Sequence, residues 1–223
     1  MNVHLIEGYG ISSNVYLIEG SRPAVIDAGI MEDAERTIRR IKATGISPEI
    51  MVLTHRHVDH VGGAKRLSEA FGITEIYAGT KDADAIRNAD DTTGARDFGL
   101  DMESVDVIPI SEGDYIDMGS ERLSVMETPG HTIGSISLLD GEKTALFSGD
   151  TVFADGGVGR WDLPTGDLKA LIISVKRLCA LNPVSLYPGH GNAVFEGAEH
   201  HLAMSLRSLD YYSYSSFSDS ESF

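Results

Sequence analysis

One cysteine, Cys179, in 223 residues leaves no intramolecular partner for it. That excludes a disulfide framework and a cysteine-based zinc finger, so any bound metal must rest on histidine and carboxylate. Basic residues are also scarce: 18 Lys and Arg stand against 34 Asp and Glu, for a net charge of −16. Such a surface repels phosphate backbones, which need Lys and Arg to displace their counterions, so no nucleic-acid partner is expected. Nowhere does an apolar run approach the roughly 20 residues of a membrane span. The first residues, Met1 to Glu7, lack a basic flank followed by a long apolar segment. The expectation is a cytoplasmic chain with no membrane contact, large enough for one sizeable core.

Strand-like stretches open the chain at Val3 to Ile6, Asn14 to Glu19 and Ala24 to Ile26. A helix fits Met31 to Ala43, where Ala34, Ile38 and Ile41 recur at helical spacing before Gly45. The apolar strand Ile50 to Leu53 and a helix from Gly62 to Phe71 bracket a histidine-rich loop. Residues 80–103 begin as a helix and turn polar, which suggests a mobile segment able to act as a lid. Five short strands are expected over Val105 to Pro109, Tyr115 to Met118, Leu123 to Glu127, Ser135 to Leu139 and Thr144 to Phe147. Asp167 can cap a helix reaching Cys179, with Leu168, Leu171, Ile172, Val175 and Leu178 as its apolar stripe. Cys179 itself falls on that stripe and is expected to be a buried structural thiol. A last strand, Val184 to Tyr187, and a helix from Glu196 to Leu209 complete a domain over residues 1–209. The Ser- and Tyr-rich residues 210–223 are expected to be a flexible, solvated tail.

The chemistry concentrates in "LTHRHVDHVGG", residues 53–63, which sets three of the chain's eight histidines and an aspartate within six positions. In an extended segment alternate side chains share a side, so His55 and His57 can reach one ion together. Asp59 and His60, a turn further on, then face a second position. Three more segments end a strand with a small-residue turn and a potential ligand: His131 in "ETPGHTIGS", Asp150 in "ALFSGDT" and His190 in "LYPGHG". Each alone is an ordinary turn residue. All four together, with glycines leaving room for close approach, point to one metal site.

The ordered set H-x-H-x-D-H, T-P-G-H-T, S-G-D-T and P-G-H-G resembles the metallo-β-lactamase superfamily, and within it the glyoxalase II-like (hydroxyacylglutathione hydrolase-like) members. The resemblance implies an α/β fold, the four-layer αβ/βα sandwich of two mixed β-sheets flanked by helices. It implies two divalent ions, zinc first with iron or manganese as alternatives. The first ion would be held by His55, His57 and His131 and the second by Asp59, His60 and His190, with Asp150 bridging them. Asp27 in "VIDAG" resembles a residue beside the metals that orients their ligands, against the simpler role of a turn residue. In "GGVGRWDLPTGD", Arg160 and Asp162 could brace a loop lining the site, and Trp161 could form a pocket wall.

Two ions roughly 3.5 to 4 Å apart can share a hydroxide at neutral pH and polarise a carbonyl, so hydrolysis needs no Ser or Cys nucleophile. The expected substrate is a small-molecule thioester, or a related ester or lactone, with Asp59 hydrogen-bonded to the hydroxide as the catalytic carboxylate. Recognition of glutathione through a basic C-terminal region is not expected, because no Lys or Arg follows Arg207. Arg56, Arg96 and Arg160 remain as candidates for pairing with an anionic substrate. The alternative is a mononuclear non-haem iron persulfide dioxygenase, with His55, His131 and Asp150 as a two-His, one-carboxylate triad. A ribonuclease is less favoured by composition, and a closed structural metal site fits the open two-ion pattern poorly. The sequence also leaves room for a homodimer.

Overall fold

The computed structural model describes residues 1–142 and 144–218. Six strands form one sheet in chain order: β1 (Val3–Ile6), β2 (Val15–Ile18), β3 (Ala24–Ile26), β4 (Ile50–Leu53), β5 (Glu75–Gly79) and β6 (Ile108–Ile110). The first three are antiparallel neighbours, and β4, β5 and β6 add to β3 in parallel. The second sheet has the order β11-β10-β9-β8-β7, built from β7 (Tyr115–Asp117), β8 (Arg122–Glu127), β9 (Ile136–Asp140), β10 (Ala145–Gly149) and β11 (Ser185–Pro188). Its pairs are antiparallel except β10 with β11.

Side-chain alternation builds the layers. On β2, β3 and β4 the residues Ile18, Ile26 and Val52 face the second sheet, where Ile116, Leu123, Leu138 and Phe147 meet them. Their neighbours Leu17, Val25 and Met51 face outward, onto α1 (Ala34–Thr44), α2 (Val58–Val61) and α3 (Ala64–Phe71) through Ile38, Ile41, Val61 and Leu67. Leu139 and Leu146 of the second sheet likewise turn outward, against α6 (Leu168–Leu181) and α7 (Ala198–Ser218). Because a strand buried on both faces must be apolar at every position, β2, β4, β9 and β10 read as near-continuous hydrophobic runs. The result is the expected sandwich, with helix, sheet, sheet and helix as its four layers.

Several expected elements shift. Residues 80–103 hold α4 (Ala83–Asn88), a 3-10 turn at Asp91–Thr93 and a single helical turn, α5 (Ala95–Phe98). Glu75–Gly79 is a strand that the sequence pattern does not announce. The last helix does not stop at Leu209 but continues to Ser218, through most of the stretch expected to be a tail. No glycine or proline follows Gly197 to break it, and Tyr212 packs its ring 5.2 Å from that of Trp161. The final five residues of that stretch lie outside the described residues. Among the described residues no helix is long and apolar enough to cross a membrane.

Candidate metal centre

Four strands deliver the chemistry to one edge of the sandwich. The loop after β4 carries His55 and His57, and α2 directly follows with Asp59 and His60. His131 follows β8, Asp150 follows β10 and His190 follows β11. The ligand atoms of His55, His57 and His131 lie within 4.8 Å of one another, and so do those of Asp59, His60 and His190. Asp150 sits between the two groups. One of its oxygens is 3.1 Å from His60 Nε2, and the other is 3.7 Å from both His131 Nε2 and His190 Nε2. Close packing around it requires Gly189, since a Cβ there would come within 2.1 Å of Asp150 Oδ1.

Hydrogen bonds fix which ring nitrogen of three of the histidines faces inward. His131 donates from Nδ1 to the Arg160 carbonyl at 2.6 Å, and His60 Nδ1 meets Asp27 Oδ2 at 2.8 Å. The single hydroxyl proton of Thr54 goes to the Asp27 carboxylate, so Thr54 Oγ1 accepts from His55 Nδ1 at 3.1 Å. All three rings therefore turn Nε2 into the cluster, held by the outer acceptors that metal-binding histidines require. Asp27 holds this position with φ of 58°, an unusual conformation for a residue with a side chain, and it also accepts from the Thr54 N–H at 2.8 Å. It is thus both a turn residue and the anchor of His60 and Thr54.

Electrostatics divide the cluster. Burial, reinforced by neighbouring histidines, holds His55 well below the usual imidazole range. Burial and His131 push His57 down to about 3, so both rings are neutral and carry a free lone pair. For His60 burial acts in the same direction but is outweighed by Asp150, Asp27 and Asp59, which raise it well above the ordinary value. Burial would raise Asp59 and Asp150, yet His60 with His190 keeps both below the usual carboxylate range. His55 Nε2 and Asp150 Oδ1 are buried with no hydrogen-bond partner of good geometry. Two orphaned acceptors among convergent imidazoles and carboxylates fit a divalent cation, which would supply the missing partner.

A cavity of about 260 Å³ opens over the cluster. His57, Asp59, His131, Asp150 and His190 form its polar side, and Phe98, Phe153, Val158 and Leu163 form an apolar one. None of these four was singled out from sequence. Phe98 belongs to a segment without periodicity and Phe153 to a loop where pattern carries no signal, whereas Val158 and Leu163 lie in the segment 156–167 expected by resemblance to line the site, though neither was named there. Asn14 and Tyr16 were also missed: the amide and the phenol both donate to the Pro188 carbonyl, at 3.1 and 2.7 Å, tying β2 to the turn that presents His190.

Other expected site residues fall elsewhere. Trp161 does not line the cavity. Its ring packs with α6 and α7, because the chain turns Arg160 toward the cavity and the next side chain away from it. Arg160 lines the cavity, but its guanidinium is taken by Asp162 at 2.9 and 2.6 Å, the bracing pair. Arg56 is unavailable to substrate: it is buried and donates to Asp82 from Nε and from a terminal nitrogen at 2.8 and 2.7 Å. Arg96 pairs with Asp91 at 3.0 Å away from the cavity. Cys179, expected to be buried, is only half-buried, on the edge of the apolar cluster between α6 and the second sheet.

This sandwich with its His and Asp cluster defines a class, and sequence comparison names it. The model of the metallo-beta-lactamase superfamily matches residues 8–190, and the chain belongs to that superfamily. A probable metallo-hydrolase of Methanocaldococcus jannaschii is 37% identical over 192 residues, covering 83% of this chain and 91% of that one. The hydroxyacylglutathione hydrolase GloC of Haemophilus influenzae is 34% identical over 206 residues, covering 89% and 95%. The crystal structure of TTHA1623 in a di-iron-bound form superposes with a TM-score of 0.76 at 33% identity, over 92% of this chain and 97% of that chain. The protein is thus a member of this superfamily, and its His and Asp cluster is a candidate site for divalent metals.

Proposed function

We propose that the protein hydrolyses a thioester, or a related ester or lactone, of a small molecule, using two divalent ions. The observation that carries the reading is the convergence of seven His and Asp donors under a cavity that no Ser or Cys nucleophile lines among the described residues. Two ions bound there supply a nucleophilic water at neutral pH and polarise the substrate carbonyl. His55, His57 and His131 would hold one, Asp59, His60 and His190 the other, and Asp150 both. The similarity to a di-iron-bound protein supports two ions, with zinc, iron and manganese all suited to these donors. The similarity to a hydroxyacylglutathione hydrolase supports the thioester.

The chain's own residues do the positioning. Asp59 stays ionised beside His190, with Oδ2 3.0 Å from Nε2, and accepts a hydrogen bond from the attacking water. Asp27 and the Arg160 carbonyl keep His60 and His131 turned inward. A thiolate leaves without much help from a general acid, because a thiol is far more acidic than an alcohol. Protein loaded with zinc, iron or manganese should release thiol from S-lactoylglutathione or from N-acetylcysteamine thioesters. Asp150→Ala should lower that rate by at least about a hundredfold, the order lost when one group that stabilises charge at the reacting atoms is removed. Undiminished turnover in Asp150→Ala would sink the assignment. Oxygen uptake with a thiol persulfide, and no thioester turnover, would replace it with the single-iron dioxygenase.

A further inference from the structure

The wall facing the metal cluster carries a property that hydrolysis alone does not require. Phe98, Phe153, Val158 and Leu163 make it apolar, and the one Lys or Arg among the described residues lining it, Arg160, is occupied by Asp162. A carboxylate or phosphate seated here would find no free cation on the wall, in a chain of net charge −16. The cavity, at about 260 Å³, also lies below the roughly 300–1,000 Å³ typical of pockets that engulf drug-sized ligands. It cannot enclose a large anionic thiol carrier, which must lie outside it. What fits is the other half of the molecule.

Resting on the thioester reading above, we infer that this wall binds an uncharged aliphatic acyl group, and that Phe98 sets how long that group can be. Phe98 is the last residue of α5, a single helical turn, and it is 55% exposed where it lines the cavity. Phe153, Val158 and Leu163 belong to the loops between β10 and α6, braced by Arg160 and Asp162 and by the bridge between Val152 and Val158. With the carbonyl at the metal cluster, the acyl chain runs along these side chains toward Phe98. Each methylene it buries gains about 0.8 kcal/mol, or about fourfold in kcat/KM. The gain ends where the chain reaches the ring.

The test is kcat/KM of the metal-loaded protein for N-acetylcysteamine thioesters from acetyl to octanoyl, with S-lactoylglutathione alongside. The expected profile rises about fourfold per methylene over the first members, passes a maximum and falls. Phe98→Ala should move the maximum to longer chains and Phe98→Trp to shorter ones. Phe98 is exposed and belongs to none of the core clusters, so neither substitution removes a core contact. A flat profile, a preference for lactoylglutathione over every aliphatic thioester, or a maximum at one length in all three proteins would overturn the inference while leaving the thioesterase intact. No turnover of any thioester would overturn the thioester reading and the inference with it.

Discussion

At the scale of single residues, Asp82 and Arg56 show how the histidine loop is held. Asp82 is fully buried, accepts from the Arg56 backbone N–H and side chain, and also accepts from the Thr132 hydroxyl at 2.7 Å. It therefore joins the loop of His55 and His57 to the loop of His131. Arg56 continues the link to Thr92 at 2.6 Å, beside the turn that carries Phe98. Replacing Asp82 by Ala would leave a buried guanidinium unpaired, at a cost of about 3–5 kcal/mol. Urea unfolding should show a free energy of unfolding lowered by that amount; a loss under about 1 kcal/mol would mean that water reaches Arg56. Sequence spacing brought out the seven candidate ligands because they sit in the short segments that directly follow strand ends. It could not separate Arg56 from a substrate-binding arginine, because pairing with Asp82 is a contact across 26 positions made only by the fold. Trp161 failed for the same reason: which of two adjacent side chains faces a cavity is decided by the loop's path.

At the scale of elements, the helix α6 was legible because its signals are local. Asp167 accepts from the Ala170 N–H at 2.9 Å as the N-cap, and Leu171, Val175 and Leu178 are buried as the stripe required. Asp167→Ala should cost about 1 kcal/mol, or roughly 2–4 °C in Tm for a chain of this size. An unchanged midpoint would show that tertiary packing alone holds the helix start. The strands β5 and β6 were harder. In β5 the strand ends on small residues, Ala78 and Gly79, and Gly79 has to be small, since a Cβ there would meet the Gly134 carbonyl at 2.1 Å. Small residues weaken the hydrophobic pattern that marks a strand. In β6 the buried residues Val105 and Val107 precede the ladder, which begins only at Ile108 and crosses Pro109 at the sheet edge. Burial and pairing are offset there by about three residues, so a pattern of apolar residues points to the wrong start.

At the scale of the whole molecule, the metal cluster joins two sheets. His55, His57, Asp59 and His60 come from the end of a strand in the first sheet, while His131, Asp150 and His190 come from three strands of the second. Ions bound between them would cross-link the sandwich at its open edge. An ion that binds the folded chain and not the unfolded one adds about 2.7 kcal/mol at a free concentration a hundred times its Kd. For about 220 residues each kcal/mol moves Tm by roughly 2–4 °C, so one tightly held ion should raise the midpoint by about 5–10 °C and two by about twice that. Thermal unfolding with zinc, and again after chelation and dialysis, measures this directly. Asp150→Ala, which removes the carboxylate shared by both groups, should lose most of the difference between the two curves. Equal midpoints with and without metal in the unmodified protein would mean that the cluster does not take up the ion as a bridge between the sheets. The two-ion reading would then have to be given up, whatever the activity of the protein as purified.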